Sequence, residues 1–130
     1  MESRPAARRF LTDLLASRIA EYDLDVYRND FNIDPLSYWR AADEPEREGL
    51  TEIRYVEGLY EMWDELRARK PGLLIDNCAS GGRRIDLEMC MRSVPLWRSD
   101  TGCSANPVYW NQVQCCGLSQ YVPLHAVASW

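Results

Sequence analysis

Two aspartates, Asp30 and Asp100, each follow a predicted β-strand and are the residues of this chain best placed for chemistry. Hydrolysis of a glycosidic bond needs two carboxyl groups, one that attacks or activates water and one that protonates the leaving oxygen; in retaining enzymes they lie about 5–5.5 Å apart. If the two strands are neighbours, both carboxylates reach one pocket. The alternative, that each aspartate only caps a helix or orders a loop, stays open because the chain has 20 acidic residues.

The residues near the two aspartates suit opposite protonation states. Arg28 lies two residues before Asp30 and therefore points to the same side of an extended strand. A cation beside a carboxylate keeps it ionised, as a nucleophile must be, although a purely structural salt bridge fits Arg28 equally well. Near Asp100, Trp97 and an apolar strand could exclude water and raise the pKa, as a general acid requires.

A polar cluster at the end of the predicted strand 73–75 reads Asp76-Asn77-Cys78-Ala79-Ser80-Gly81-Gly82. Its glycines would let a ligand approach the backbone N–H groups closely. The cluster has neither the P-loop spacing nor the G-x-G-x-x-G spacing of nucleotide sites. Cys78 could be the nucleophile of an unrelated α/β enzyme, but no histidine lies nearby in the sequence to activate it. We interpret Cys78 as a pocket-lining residue, and His125, the only histidine of the sequence, as a structural or rim residue.

Helices and strands are predicted to alternate along the chain, which favours an α/β fold with a parallel sheet and right-handed crossovers. Such sheets are doubly wound or closed into (β/α) barrels, and in both the chemistry collects at the carboxyl ends of the strands. The predicted strands are 24–27, 73–75, 94–98 and 118–124. The first predicted helix has Pro5 near its start and its apolar stripe over 10–19; the others are 51–70 (with Thr51 as N-cap), 85–91 and 107–116 (opened by Pro107). Residues 33–49 are a predicted loop.

Composition excludes several classes of function. A net charge of −5 repels phosphate backbones, so we expect no nucleic-acid partner. The sequence contains no run of 18 apolar residues, so no membrane association is expected. The five cysteines include no C-x-x-C pair, which argues against a zinc site. Their odd number predicts reduced thiols in a cytoplasm-like compartment.

Three motifs together resemble glycoside hydrolase family 36, the retaining α-galactosidases and their relatives. The family's Lys-Trp-Asp-x-Asn nucleophile motif corresponds to Arg28-Asn29-Asp30-Phe31-Asn32. Its Cys-x-x-Gly-Gly segment corresponds to Cys78-Ala79-Ser80-Gly81-Gly82, and its Trp-x-Ser-Asp acid/base motif corresponds to Trp97-Arg98-Ser99-Asp100. Each motif is weak alone, but the three occur in order and each follows a predicted strand.

The resemblance implies that Asp30 attacks the anomeric carbon of a carbohydrate substrate and that Asp100 is the general acid/base. It implies no metal and no cofactor. Arginine replaces the family's lysine at position 28, and Asn29 replaces its tryptophan, so another α-linked sugar fits as well as galactose. By the same resemblance, the residues that bind the substrate are Arg28, Asn32, Cys78, Gly81 and Trp97.

The resemblance also implies a fragment of a (β/α)8 TIM barrel, because a complete barrel needs about 250 residues. Residues 1–130 would supply roughly strands four to seven with their helices, as the C-terminal half of the barrel without strands one to three and eight. Such a half barrel exposes strand edges and apolar helix faces. We therefore expect an excised fragment, a truncated gene product or half of an assembly, the last as a homo-oligomer or with a complementing barrel half. The alternative is an inactive remnant with a sugar-binding or structural role.

Overall fold

The computed structural model of the chain describes residues 4–103 and 108–122. These residues belong to two compact units. The first unit contains the described residues up to 25 together with 33–73, and the second contains 26–32 and those from 74 onward. Among the described residues, no helix is long and apolar enough to cross a membrane.

The first unit consists of three helices, α1 (Pro5–Glu21), α2 (Leu36–Ala42) and α3 (Leu50–Arg69). Helix α3 packs against both α1 and α2. Its apolar residues recur every three or four positions, as an amphipathic helix requires, and form one buried face. The buried side chains of that face are Tyr55, Leu59, Met62, Trp63 and Leu66.

The loop predicted for 33–49 is wrong in part, because it contains α2. Helix α2 has only seven residues, none of them buried, and the proline and glycine residues on either side of it give the segment a loop-like pattern. The predicted N-cap is also wrong: the N-cap of α3 is Gly49, two residues before Thr51. The capping oxygens come from Asp43, which accepts hydrogen bonds from the backbone nitrogens of Gly49 at 2.7 Å and Thr51 at 2.8 Å.

The second unit contains two parallel strands, β1 (Val26–Asp30) and β2 (Leu74–Cys78), which confirms the predicted parallel pairing. Both strands extend further toward the polar clusters than 24–27 and 73–75. Arg28 and Asp30 therefore lie within β1 rather than after it, and Asp76 and Cys78 lie within β2. Polar residues have low strand propensity, which is why the sequence pattern placed them in loops.

The third predicted strand, at 94–98, is reduced to a single bridge between Val94 and Asp76. Val94 donates from its backbone nitrogen to the Ile75 carbonyl at 2.8 Å, as in a parallel ladder. The next donor, the backbone nitrogen of Leu96, bonds instead to the Asp76 side chain, Oδ1, at 3.1 Å. The ladder stops because a side-chain carboxylate takes the place of the next main-chain acceptor.

The second unit also contains helix α4 (Leu87–Arg92), a 3₁₀ turn (Asp100–Cys103) and helix α5 (Val108–Leu118). The strand predicted for 118–124 is wrong over 118–122, because α5 ends at Leu118 and a turn follows it. Three predictions lie outside the described residues: the strand over 123–124, Pro107 as a helix start, and the structural or rim position of His125.

Candidate active site

One face of the β1–β2 pair carries four side chains that bear on chemistry. Arg28 is in register with Asp76, and Asp30 is in register with Cys78. Side chains two positions apart point to the same side of a strand, so the four lie together on one face. They occupy the carboxyl ends of two adjacent parallel strands, which is where α/β folds place their reactive groups.

Asp30 is held in the ionised form. Burial alone would raise the pKa of its carboxyl group, but four favourable interactions outweigh that effect and lower the pKa. These are hydrogen bonds with the side chains of Asn32 and Cys78, a hydrogen bond from the backbone nitrogen of Phe31 at 2.8 Å to Oδ1, and the positive charge of Arg28. An ionised carboxylate at neutral pH is the state that a nucleophile needs.

Arg28 bridges two carboxylates of this face. Its Nη1 lies 2.5 Å from Oδ2 of Asp76, and its Nη2 lies 3.4 Å from Oδ2 of Asp30. Burial works to lower the pKa of the guanidinium, and the hydrogen bond with Asp76 overcomes it and raises the pKa. The structural salt bridge and the contact with the candidate nucleophile, which the sequence left as alternatives, are therefore both present.

Cys78 is buried at the end of β2 beside Asp30. Its burial raises the pKa of the thiol, and the hydrogen bond with Asp30 acts in the same direction. A thiol that stays protonated is a poor nucleophile, so the structure argues against the alternative enzyme that attacks through Cys78. That Cys78 lines a substrate pocket stays a prediction.

The turn at 79–82 touches the segments that carry both candidate carboxylates. On one side, Oδ1 of Asn32, which lies just after β1, accepts a hydrogen bond from the backbone nitrogen of Ser80 at 3.0 Å. On the other side, a Cβ placed on Gly81 would lie 2.9 Å from the backbone nitrogen of Asp100 and 3.0 Å from Cα of Ser99. The glycine was predicted to let a ligand approach; here the protein's own backbone approaches it.

Asp100 begins the 3₁₀ turn, and its Oδ1 accepts a hydrogen bond from Nε1 of Trp97 at 2.8 Å. Asp100 is exposed in this chain. The expectation that Trp97 and an apolar strand exclude water from Asp100 is therefore wrong for the described residues, because the strand does not form and the indole contacts the carboxylate by a hydrogen bond.

Two residues of the site were missed by the sequence analysis. Asp76 was grouped with the polar residues after a strand, but it lies inside β2, alternates with Cys78 and pairs with Arg28. The available signal was an acidic residue two positions before a candidate pocket residue. The second, Arg84, gave no sequence signal, because its role depends entirely on contacts made through the fold.

Arg84 holds the carboxyl ends of both strands together. Its Nη2 donates hydrogen bonds to the backbone carbonyls of Asn29 at 2.8 Å and Cys78 at 2.6 Å. Its guanidinium also lies 5.8 Å from the centre of the Phe31 ring, within range of a cation–π contact.

Among residues 4–103 and 108–122, no group of three or more histidine, cysteine, aspartate or glutamate side chains is arranged to hold a metal ion.

Comparison with known proteins gives a consistent match. The family model described as Melibiase matches residues 2–129. Alpha-galactosidase 1 of Pediococcus pentosaceus is 33% identical over 97 residues, which are 75% of this chain and 13% of that protein. Alpha-galactosidase AgaA of Geobacillus stearothermophilus is 30% identical over 98 residues, again 75% of this chain and 13% of the relative.

Solved structures agree with the sequence matches. The crystal structure of the GH36 α-galactosidase AgaA from Geobacillus stearothermophilus superposes with a TM-score of 0.77 at 26% identity. A variant of that enzyme in complex with stachyose superposes with a TM-score of 0.79, also at 26% identity. Each comparison covers 98% of this chain and 17% of the solved chain. The chain is therefore an α/β segment that matches part of TIM-barrel enzymes, and it spans about a sixth of their length.

Proposed function

Because the chain belongs to the melibiase family, we propose that it carries both catalytic carboxylates of a retaining α-glycoside hydrolase. The observation that carries this proposal is the turn at 79–82, which contacts the end of the Asp30 strand through Asn32 and the backbone of Asp100 through Gly81. A shared support of this kind would keep two carboxyl groups at a fixed separation, as the reaction requires.

The proposed reaction is a double displacement. Asp30 attacks the anomeric carbon and forms a covalent glycosyl-enzyme, while the bond to the leaving oxygen breaks and Asp100 donates its proton to that oxygen. In the second step Asp100 removes a proton from water, and the water oxygen displaces Asp30. The lowered pKa of Asp30 supports its role as the ionised nucleophile.

An α-linked galactoside is the substrate that we propose. The similar curated proteins are named α-galactosidases, and one of the similar structures holds stachyose. Among the residues that we assign to sugar binding, Arg28 and Cys78 share a strand face with Asp30. Asn32 and Gly81 make the contacts of the 79–82 turn, and Trp97 donates a hydrogen bond to Asp100. Arg28 still has N–H donors beyond the two that contact carboxylates, since a guanidinium carries five.

We also propose that residues 1–130 are a partial catalytic barrel, corresponding to strands four to seven. The match to only 13% of the curated relatives and 17% of the solved chains supports a segment of a larger enzyme. An exposed Asp100 fits this view, because a general acid needs surroundings that the described residues do not supply. The same coverage favours the second candidate function, an inactive remnant that binds sugar or acts structurally.

The test replaces the matching segment of the Geobacillus enzyme with this chain. The chimera is incubated with 5-fluoro-α-galactosyl fluoride, which traps glycosyl-enzymes, and its intact mass is measured. We expect the mass of one sugar to be added, and we expect Asp30→Asn to abolish the addition. The matched control, Asp34→Asn, changes an exposed carboxylate four residues away and should label fully.

A folded chimera that is not labelled, or that is labelled equally after Asp30→Asn, would contradict the proposal. The 130-residue chain is treated with the same reagent in parallel. Labelling of the chimera but not of the isolated chain would mean that the missing strands are needed. Gel filtration of the isolated chain then tests the remnant hypothesis, since a complementing dimer runs near twice 15.1 kDa.

A further inference from the structure

Asp76 is a buried carboxylate on the same face of the β1–β2 pair as Asp30, with only 7% of its side chain exposed. Each of its oxygens has a separate partner: Oδ2 accepts from Nη1 of Arg28 at 2.5 Å, and Oδ1 accepts from the backbone nitrogen of Leu96 at 3.1 Å. A buried charge is tolerated when it is paired and hydrogen-bonded in this way. The reaction proposed above gives this carboxylate no task of its own.

The two contacts of Arg28 are unequal. Its Nη1 lies 2.5 Å from Asp76, whereas its Nη2 lies 3.4 Å from Asp30, beyond the usual length of a charge-assisted hydrogen bond. The guanidinium is therefore held mainly by Asp76, and the negative charge of Asp76 offsets part of the positive charge that Asp30 experiences. A full bidentate pair with Arg28 would keep Asp30 ionised but would also occupy the oxygens with which it must attack.

We propose that Asp76 is a positioning residue, which holds the Arg28 guanidinium back from the proposed nucleophile and prevents Arg28 from closing onto Asp30 as a full ion pair. Through Leu96, the same carboxylate fixes the chain that leads to Trp97 and Asp100. The inference deepens the proposed function, on which its catalytic meaning rests. The contacts themselves can be tested without any turnover.

The test is an NMR titration of the Asp30 carboxyl carbon in the 130-residue chain, with and without Asp76→Asn. We expect the midpoint of Asp30 to move to lower pH in the variant, because Arg28 turns to Asp30 and a negative charge is lost nearby. The thiol of Cys78, the other titratable group beside Asp30, stays protonated in this range because its pKa is raised. If Asp76 were only a structural anchor, Arg28 would swing into solvent and the Asp30 midpoint would rise; a rise or no change overturns the proposal.

A second pair of variants tests whether the effect passes through Arg28. In the Arg28→Gln background, Asp76→Asn should lose the larger part of its effect on the Asp30 midpoint, as a double-mutant cycle for coupled groups requires. An undiminished effect in that background contradicts the proposal. Asp76→Glu, which keeps the charge, should leave the midpoint closer to that of the unchanged chain than Asp76→Asn does.

Should Asp76→Asn fail to fold, the unchanged chain provides the test. The Arg28 guanidinium held by Asp76 should give separate, slowly exchanging Nη signals, and averaged signals of a freely rotating group would refute the proposal. In the chimera, Asp76→Asn should move the acidic limb of the kcat/KM profile to lower pH and reduce kcat more than it changes KM. A chimera without activity, beside the expected titration result, would contradict the proposed function and leave the role of Asp76 intact.

Discussion

The contact between Gly81 and the backbone before Asp100 predicts a specific cost for adding one methyl group. Gly81 has a φ of +78°, and its added Cβ would lie 2.9 Å from the backbone nitrogen of Asp100. Real Cβ atoms essentially never come that close, and the atom they would meet is main chain, so the neighbouring segment must move. Gly81→Ala is therefore expected to disturb both the stability of the second unit and the position of Asp100.

The magnitude has two parts. Alanine at a positive φ costs about 1–2 kcal/mol for the backbone conformation alone. Forcing an extra carbon into a packed contact adds about 1–3 kcal/mol. Gly72 separates the two parts, because its φ is +91° but nothing lies within 4 Å of its added Cβ. We expect Gly72→Ala to cost about 1–2 kcal/mol and Gly81→Ala about 2–5 kcal/mol.

The assay is urea unfolding monitored by resolved backbone amide NMR signals. Signals of the first unit report the effect of Gly72→Ala, and signals of the second unit report the effect of Gly81→Ala. In the chimera, Gly81→Ala should also lower kcat about tenfold to a hundredfold on substrates with poor leaving groups, because Asp100, the proposed general acid, is displaced. Substrates with good leaving groups need little protonation and should be affected less in the glycosylation step. Equal costs of unfolding for Gly81→Ala and Gly72→Ala would refute the reasoning, since the steric contact would then contribute nothing.

Two further predictions concern the strand ends. Arg84→Met should destabilise the second unit by about 1–3 kcal/mol in the same unfolding assay, because two strand carbonyls lose their charged donor. Arg84→Lys should recover only part of this, since an ammonium lacks the guanidinium fork, and full recovery would contradict the argument. Because the folded-state pKa of Asp30 is lowered, its ionised form stabilises the chain above the ordinary aspartate pKa of about 4, and this contribution is lost as pH falls through the lower folded-state value. The urea midpoint of Asp30→Asn should therefore fall less than that of the unchanged chain between pH 7 and pH 3, and parallel decreases would refute the assignment.

Much of the architecture could be predicted from the sequence. The buried stripe of α3 is a strong helical pattern, and it predicted the helix to within a residue or two. The parallel pairing of the first two strands followed from the alternation of elements, and the family resemblance from three motifs was confirmed by the match over residues 2–129. The motif residues carried more information than the local propensities around them.

The features that the sequence could not reveal depend on side-chain carboxylates that accept hydrogen bonds from backbone nitrogens of other segments. The predicted third strand is reduced to one bridge because Oδ1 of Asp76 accepts a hydrogen bond from the Leu96 backbone nitrogen. The spacing of apolar residues in the sequence does not indicate this contact. Helix α2 was not predicted because it is short, has no buried residue and is flanked by turn residues. The capping oxygens of α3 come from Asp43, six residues before Gly49. Each of these features is decided by a contact between segments rather than by local pattern.

The polar face of β1 and β2 also raises the question of what fixes their register. Strands with one apolar face resist slipping, because a shift of one residue would turn every side chain to the other side. Here the shared face carries Arg28 and Asp30 opposite Asp76 and Cys78, so apolar burial on that face specifies little. A slip by two residues would keep the faces but could place Asp30 opposite Asp76, two like charges side by side and without the intervening cation. The Arg28–Asp76 pair therefore favours the one alignment in which Asp30, the proposed nucleophile, lies beside Cys78. One ion pair would then set both the register of the strands and the position of the proposed catalytic carboxylate.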